Sequence, residues 1–193
     1  LEYKITVRDT SLRKFIPDNT MFLYTNDTIT RMENFTERLG QQIIIRHIEK
    51  NKSYMLIETQ QGKFAIKTDL NKIDTVKTET KYTFKKKTGK QKVLGMKANR
   101  MEVNHPDFDE PIVFLYLKQY SNEYLNNFDS IPGLLVKYSV VTPDAILDYE
   151  LVKFSEYTPD NDLFGIASDF KRVTIEEFMD IILAPQGPAP IPN

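Results

Sequence analysis

The sequence predicts a mainly β protein with a minor α component: a strongly curved antiparallel sheet or half-barrel, with one C-terminal helix packed on it. Three observations predict this. From Asn19 to Asp69 five short segments, MFLYT, ITRMENF, QQIIIRHI, SYMLIET and KFAIKT, are separated only by Asn26-Asp27, Leu39-Gly40, Asn51-Lys52 and Gln61-Gly62, which are hairpin signals of the kind that set strand order. Residues 134–141 and 146–154 form a second such pair around Pro143-Asp144. Thr174 and Glu177 then make a capping box, in which the hydroxyl accepts from a first-turn amide while the carboxylate reaches back to the cap's own N–H.

In chain order, residues 1–8 alternate, with Tyr3, Ile5 and Val7 on one side and Lys4, Thr6 and Arg8 on the other, as in a strand with one wet face. After the 19–69 meander comes a lysine-rich stretch, 72–92, in which Thr88-Gly89-Lys90 reads as a turn between the ends of a hairpin and the charges as a solvated edge. KANRMEV, a turn at His105-Pro106-Asp107, and IVFLYLK follow, then a polar segment with aromatics from Gln119 to Asp129. In the last hairpin Leu147, Tyr149 and Leu151 alternate with Asp148, Glu150 and Val152. Ile175, Phe178, Met179 and Ile182 then give a helical stripe that must lie on the sheet. Residues 1–183 are expected to form one domain, and 184–193, APQGPAPIPN, a Pro-rich flexible tail.

Composition excludes more than it assigns. At 193 residues the chain can bury one sizeable core, and 40% hydrophobic with 27% charged residues is ordinary for a globular protein. A net charge of −1 gives no global attraction to nucleic acid or to an anionic membrane. The lack of cysteine removes disulfides, thiolate metal sites and cysteine nucleophiles together. No apolar run approaches the ~20 residues that span a bilayer as a helix.

Motifs point away from catalysis. His47 and His105 are the only histidines and stand in no recognisable metal or triad spacing. HPDFDEP holds His105, Asp107, Asp109 and Glu110, but its two prolines read as a turn; TPDNDLFG lacks the spacing of a calcium loop and reads as a connection. No phosphate-cradling glycine motif or GxSxG elbow occurs, and nothing singles out a pair of carboxylates for glycoside chemistry. No enzyme activity, cofactor, metal site or nucleic-acid partner is expected.

One pattern asks for a physical answer. Residues 43–45, 54–57 and 112–117 are apolar on both faces, so those strands need two dry sides. About ten residues of helix shield only part of a sheet of this size. The rest must be dried by curvature, by a partner or by an apolar ligand, and twelve Phe with ten Tyr could line a concave pocket or fill a solid core.

LGMKANRMEV, then FLYLKQY, then SIPGLLV ahead of a strand, and the ending LFGIASDFKRVTIEEF resemble the order of elements in envelope lipoprotein-like domains of Gram-negative bacteria with GLPGL-type turns. Those domains are similar to the half-barrel of the LolA, LolB and LppX type, a curved sheet with helices in or over its open side. In the IPG turn, Pro132 sets φ and Gly133 permits a positive φ at the next position. The resemblance implies a non-enzymatic periplasmic or outer-membrane protein, meeting the membrane only through a lipidated Cys upstream of Leu1. It further implies a lipid or other apolar ligand in the concave face. The lining expected for it is Phe22, Tyr24, Ile45, Tyr54, Leu56, Phe64, Leu115 and Leu117, chosen because they lie on or beside the two-sided apolar strands. The alternative is a structural or protein-interaction module of the envelope with a solid core and no ligand.

Overall fold

The signals Asn26-Asp27, Gln61-Gly62 and Pro143-Asp144 lie between the strands they were read to separate, whereas Leu39 and Asn51 of the other two signals lie outside the described residues. The computed structural model describes residues 1–36, 40–50, 52–69 and 81–183; the 184–193 tail lies outside them. The strands are β1 (Glu2–Val7), β2 (Asn19–Thr25), β3 (Ile29–Thr36), β4 (Gly40–His47), β5 (Lys52–Thr59) and β6 (Gly62–Asp69). They continue with β7 (Thr83–Val93), β8 (Met96–Asn104), β9 (Ile112–Leu117), β10 (Leu134–Val141), β11 (Ile146–Lys153) and β12 (Lys171–Val173), and one helix follows, α1 (Ile175–Leu183). At the β2–β3 turn, Asp27 has φ 70°, and the Asn26 Oδ1 accepts from the amides of Thr28 (3.2 Å) and Ile29 (2.9 Å), which is why Asn-Asp serves there.

All twelve strands form one open, curved sheet in the order β12-β6-β5-β4-β3-β2-β1-β11-β10-β9-β8-β7. The chain starts at the centre, walks out through β2–β6 to one side, restarts at the opposite edge with β7, and walks back through β11 to pair with β1. The seam is held by more than its ladder. Arg8 forks onto Asp148 (Nη2–Oδ1 2.5 Å, Nε–Oδ2 3.2 Å), and Ser139 Oγ on β10 accepts from Arg8 at 2.7 Å while donating to Asp148 at 2.6 Å.

Four readings are corrected. Thr88-Gly89 is not a turn: β7 runs through it as a bulge, with Lys87 opposite Arg100 and Lys90 opposite Asn99, and the hairpin turns at Leu94-Gly95. A glycine at positive φ, here 83°, serves a bulge as well as a turn. The sheet is not wholly antiparallel, because β12 pairs parallel with β6; three residues, Lys-Arg-Val, carry no periodicity to reveal it. Gly133 does not have the expected positive φ. Glycine is needed there because a Cβ would stand 2.5 Å from the carbonyl oxygen of Leu117. The capping box forms as read, with Thr174 N–H donating to Glu177 at 2.8 Å and Glu177 N–H to Thr174 Oγ1 at 3.2 Å. The helical stripe, however, is set by Phe178 and Ile181, while Ile175 and Met179 face solvent.

Three apolar clusters dry most of the two-sided strands, although Ile44 and Met55, which oppose each other, join none of them and Met55 is 36% exposed. The main one joins Tyr3, Met21, Leu23, Phe114, Leu115, Leu117, Tyr138 and Leu151 with Leu125, Phe128 and Ile131 of the β9–β10 connection. Phe128 stacks edge-on against Tyr82 (4.9 Å) and tilts on Phe114 (5.6 Å). At β5–β6 the two faces are dried separately. Ile57, Phe64 and Ile66 with Val173 are covered by α1, where Phe178 meets Phe64 edge-on at 5.4 Å. On the reverse face Ile45, Leu56 and Ala65 are covered by Ile166 and Phe170 of the β11–β12 connection.

Candidate docking site

The ladder places Phe22, Tyr24, Ile45, Tyr54 and Leu56 on one face: Phe22 opposes Glu33, which opposes Ile43, which opposes Leu56, and Tyr24, Arg31, Ile45 and Tyr54 run alongside. Phe64 points to the other face, and Leu115 and Leu117 sit in the main core across the sheet. The eight residues therefore line no common space. Ile45, Leu56 and Tyr54 lie under Ile166 and Phe170, and the Arg31 guanidinium clamps that cover by donating to the Leu163 carbonyl at 2.9 Å. Arg31 also pairs with Glu33 at 2.5 Å. Beside them the Tyr24 phenol is pushed up, first by burial and then by the charge of Glu33.

Open apolar space lies elsewhere. A cleft of about 540 Å³ is walled by Ile5, Val7, Leu147 and Tyr149 of the sheet and by Phe15, Ile16 and Pro17 of the β1–β2 connection. A second, of about 330 Å³, is walled by Thr20, Phe22, Glu33 and Gln41. Asn34 and Phe35 line both, but the ladder sets Ile5, Val7, Leu147 and Tyr149 on one face of the sheet and Thr20, Phe22, Glu33 and Gln41 on the other. The band they form therefore bends round the sheet at this strand end, with Phe35 between its two halves. The three phenylalanines at its rim are exposed: Phe15 by 71%, Phe35 by 57% and Phe22 by 37%. Exposed aromatics grouped this way mark interaction surfaces more often than core.

The band is built locally. Asp9 caps a single 3-10 turn, Thr10–Lys14, by accepting from Ser11 N–H at 2.9 Å, and this turn presents Phe15. Asn19 anchors the far wall, its side-chain amide donating to the Phe35 carbonyl and its Oδ1 accepting from Thr20 N–H at 2.7 Å. Of the expected lining, Phe22 alone borders this band. The signal for Phe15 was legible: Phe15-Ile16-Pro17 is the one apolar trio in an otherwise polar connection. Phe35 carried none, because it continues a strand alternation that elsewhere points to the core.

Two other clefts are occupied by their own bonds. One of about 360 Å³ is floored by the Arg8–Asp148–Ser139 network, with Lys137 and Glu150 3.5 Å apart at its side. Another, of about 310 Å³, holds Tyr120, whose hydroxyl donates to Glu156 at 2.5 Å, and Tyr124, which donates to Asp27. Burial, reinforced by Asp27, pushes the Tyr124 phenol up to about 12. Tyr124 ties the β9–β10 connection to the β2–β3 turn and Tyr120 ties it to the β11–β12 connection, so their chemistry is structural. Among the described residues no group of three His, Asp or Glu could hold a metal ion.

Fold and site define a mainly β protein made of one open sheet with a surface apolar band. No family model matches the chain, and no curated protein matches it. Of solved structures, that of PNGF-II in a C2 space group is similar, with a TM-score of 0.54 at 12% identity over 94% of this chain and 32% of that one. The structure of MucB in complex with MucA(peri) is similar at a TM-score of 0.44 and 12% identity, over 90% of this chain and 56% of that one. The likeness to PNGF-II concerns the fold alone, and this chain spans about a third of its length.

Proposed function

We propose that this chain is a non-enzymatic docking module of the cell envelope, and that the Phe15–Phe35–Phe22 band receives an extended segment of another protein carrying bulky apolar side chains. The observation that carries this reading is the filled interior. Apart from Ile44 and Met55, the strands that needed two dry sides obtain them from the chain's own β9–β10 and β11–β12 connections and from α1, so no ligand is required to fill the clusters that form. The two pockets open on opposite faces and meet at Phe35, which suits a segment that wraps this strand end and sets one anchor side chain in each. The amides of Asn34 and Gln41 beside them suit a peptide backbone, which offers both donors and acceptors. An acyl chain has no use for either. The envelope setting rests on the sequence resemblance to lipoprotein-like domains, with the half-barrel geometry and an anchoring lipid upstream of Leu1 belonging to the same reading.

A second reading, an apolar-ligand carrier, is favoured by the 540 Å³ cleft alone, whose sheet walls are Ile5, Val7, Leu147 and Tyr149. Native mass spectrometry before and after organic extraction separates the two. A docking module shows no bound lipid and takes up no fluorescent fatty acid. In the same protein, a photo-crosslinking residue at Phe35 should capture a defined partner in cells, and Phe15→Ser with Phe22→Ser should abolish that adduct without lowering Tm. A co-purifying lipid, or an adduct indifferent to those substitutions, would sink the docking module.

A further inference from the structure

The β7–β8 hairpin concentrates charge that the whole chain hides. Residues 83–104 carry seven cations, Lys85, Lys86, Lys87, Lys90, Lys92, Lys97 and Arg100, against the single carboxylate of Glu102, although the full chain totals −1. Lys87 already occupies Glu102 at 2.5 Å. Lys90, Lys92 and Lys97 share one face, and Lys92 stands directly opposite Lys97 in the ladder, an arrangement that costs stability because like charges face each other.

A second costly choice sits in the same place. The turn is Leu94-Gly95, with φ 49° and 81°, where a hairpin favours Asn-Gly and where a bulky L-residue is strained. Leu94 is also 50% exposed. The ladder between β8 and β9 ends at Asn99 opposite Tyr116, so the turn and Met96-Lys97-Ala98 extend about 10 Å beyond that last pair. Lysines on an edge strand discourage sheet-to-sheet aggregation. That accounts for β7 and for Lys97, which lies beyond the last β9 pair and so on an edge; it does not account for a strained, solvent-facing leucine. Backbone outliers of this sort are kept where function needs them.

We propose that this hairpin docks the protein on an anionic lipid surface, with Leu94 entering the headgroup layer while Lys90, Lys92 and Lys97 meet lipid phosphates. An apolar tip with lysines along one face behind it matches such a surface on both counts. A nucleic acid or an acidic protein would satisfy the lysines and leave the leucine without a role. This surface is separate from the phenylalanine band, and either can fail without the other.

The test is flotation of the full chain with vesicles of phosphatidylcholine alone and of phosphatidylcholine with phosphatidylglycerol. Wild type should float with the anionic vesicles only, and less so as salt rises. Lys90→Gln, Lys92→Gln and Lys97→Gln together should weaken partitioning by about a hundredfold, roughly fivefold per lysine. Leu94→Asn should weaken it as well while raising Tm, since the turn is relieved; that combination separates lost docking from lost folding, and Leu94→Gly provides a second relaxed turn. The proposal is overturned if wild type ignores anionic vesicles or floats equally with neutral ones. It is also overturned if Leu94→Asn floats as well as wild type, or if a labelled oligonucleotide binds more tightly than vesicles and is insensitive to Leu94→Asn.

Discussion

In β8–β11 together with β1, buried side chains form one continuous cluster of aromatics and aliphatics, closed by residues of the connection that directly follows β9. In β4–β6 the buried apolar residues split into two small clusters, one on each face, and each is closed by chain that arrives from past Lys153, more than eighty residues later. The two meanders share hairpin grammar and similar strand lengths. They differ in what dries them. A large shared core loses many contacts when one member is removed, whereas a small cluster under a short cover can open locally while the rest of the sheet stands.

The largest effect should come from breaking the shared core. Phe114→Ala removes a buried ring touching Phe128 and Tyr138, and we expect a loss of about 3–5 kcal/mol, a Tm drop on the order of 10 °C for a domain of this size, in one cooperative transition. Next is Gly133→Ala, which drives a Cβ onto the Leu117 carbonyl and should cost about 1–3 kcal/mol by overpacking. A thermal melt measures both.

Phe178→Ala tests the other side of the comparison. Loss of the edge-on pair with Phe64 should cost about 1–2 kcal/mol, and its signature is regional. Amide exchange should accelerate in β6 and β12 while β8–β10 stay protected. Acceleration across the whole sheet would instead make the two regions a single cooperative unit.

The smallest effect is a pH dependence. His105 is buried against Tyr82 (4.5 Å) and accepts from Asp107 N–H through Nδ1 at 3.2 Å. Burial lowers its pKa, with Asp107 opposing, and burial followed by Lys50 and Lys52 lowers that of His47. Both therefore bind protons more readily unfolded than folded. Their contribution is complete above the unfolded value of 6.5 and is lost as pH falls from there through the lowered folded values. Tm should decline between pH 7.5 and 5.5, and less so in His105→Gln. An unchanged slope would place the titrating group elsewhere.

Much of the strand framework was legible because turn residues and alternation are local. Leu134–Val141 and the starts of β9 and β11 fall where the pattern put them, and the capping box of α1 needs only its own three-residue spacing. The candidate site was legible only in fragments. Phe22 was picked out for lying among two-sided strands and proves to border the band, but five of its seven companions, Ile45, Tyr54, Leu56, Leu115 and Leu117, were chosen for an apolar pattern that the cover segments explain. Periodicity reports that a side chain needs a dry neighbour without saying which part of the chain supplies it.

By itself the sequence determined which residues extend, where the first meander turns, where the helix begins, and that several strands require dryness on both sides. These follow from torsional preference and spacing along a few residues. Only the tertiary structure decided that β1 lies at the seam between two meanders, that β12 joins β6 in parallel, and that 155–170 and α1 seal opposite faces of β5 and β6. Those outcomes are contacts between residues distant along the chain, chosen by which apolar surfaces fit together once the sheet exists.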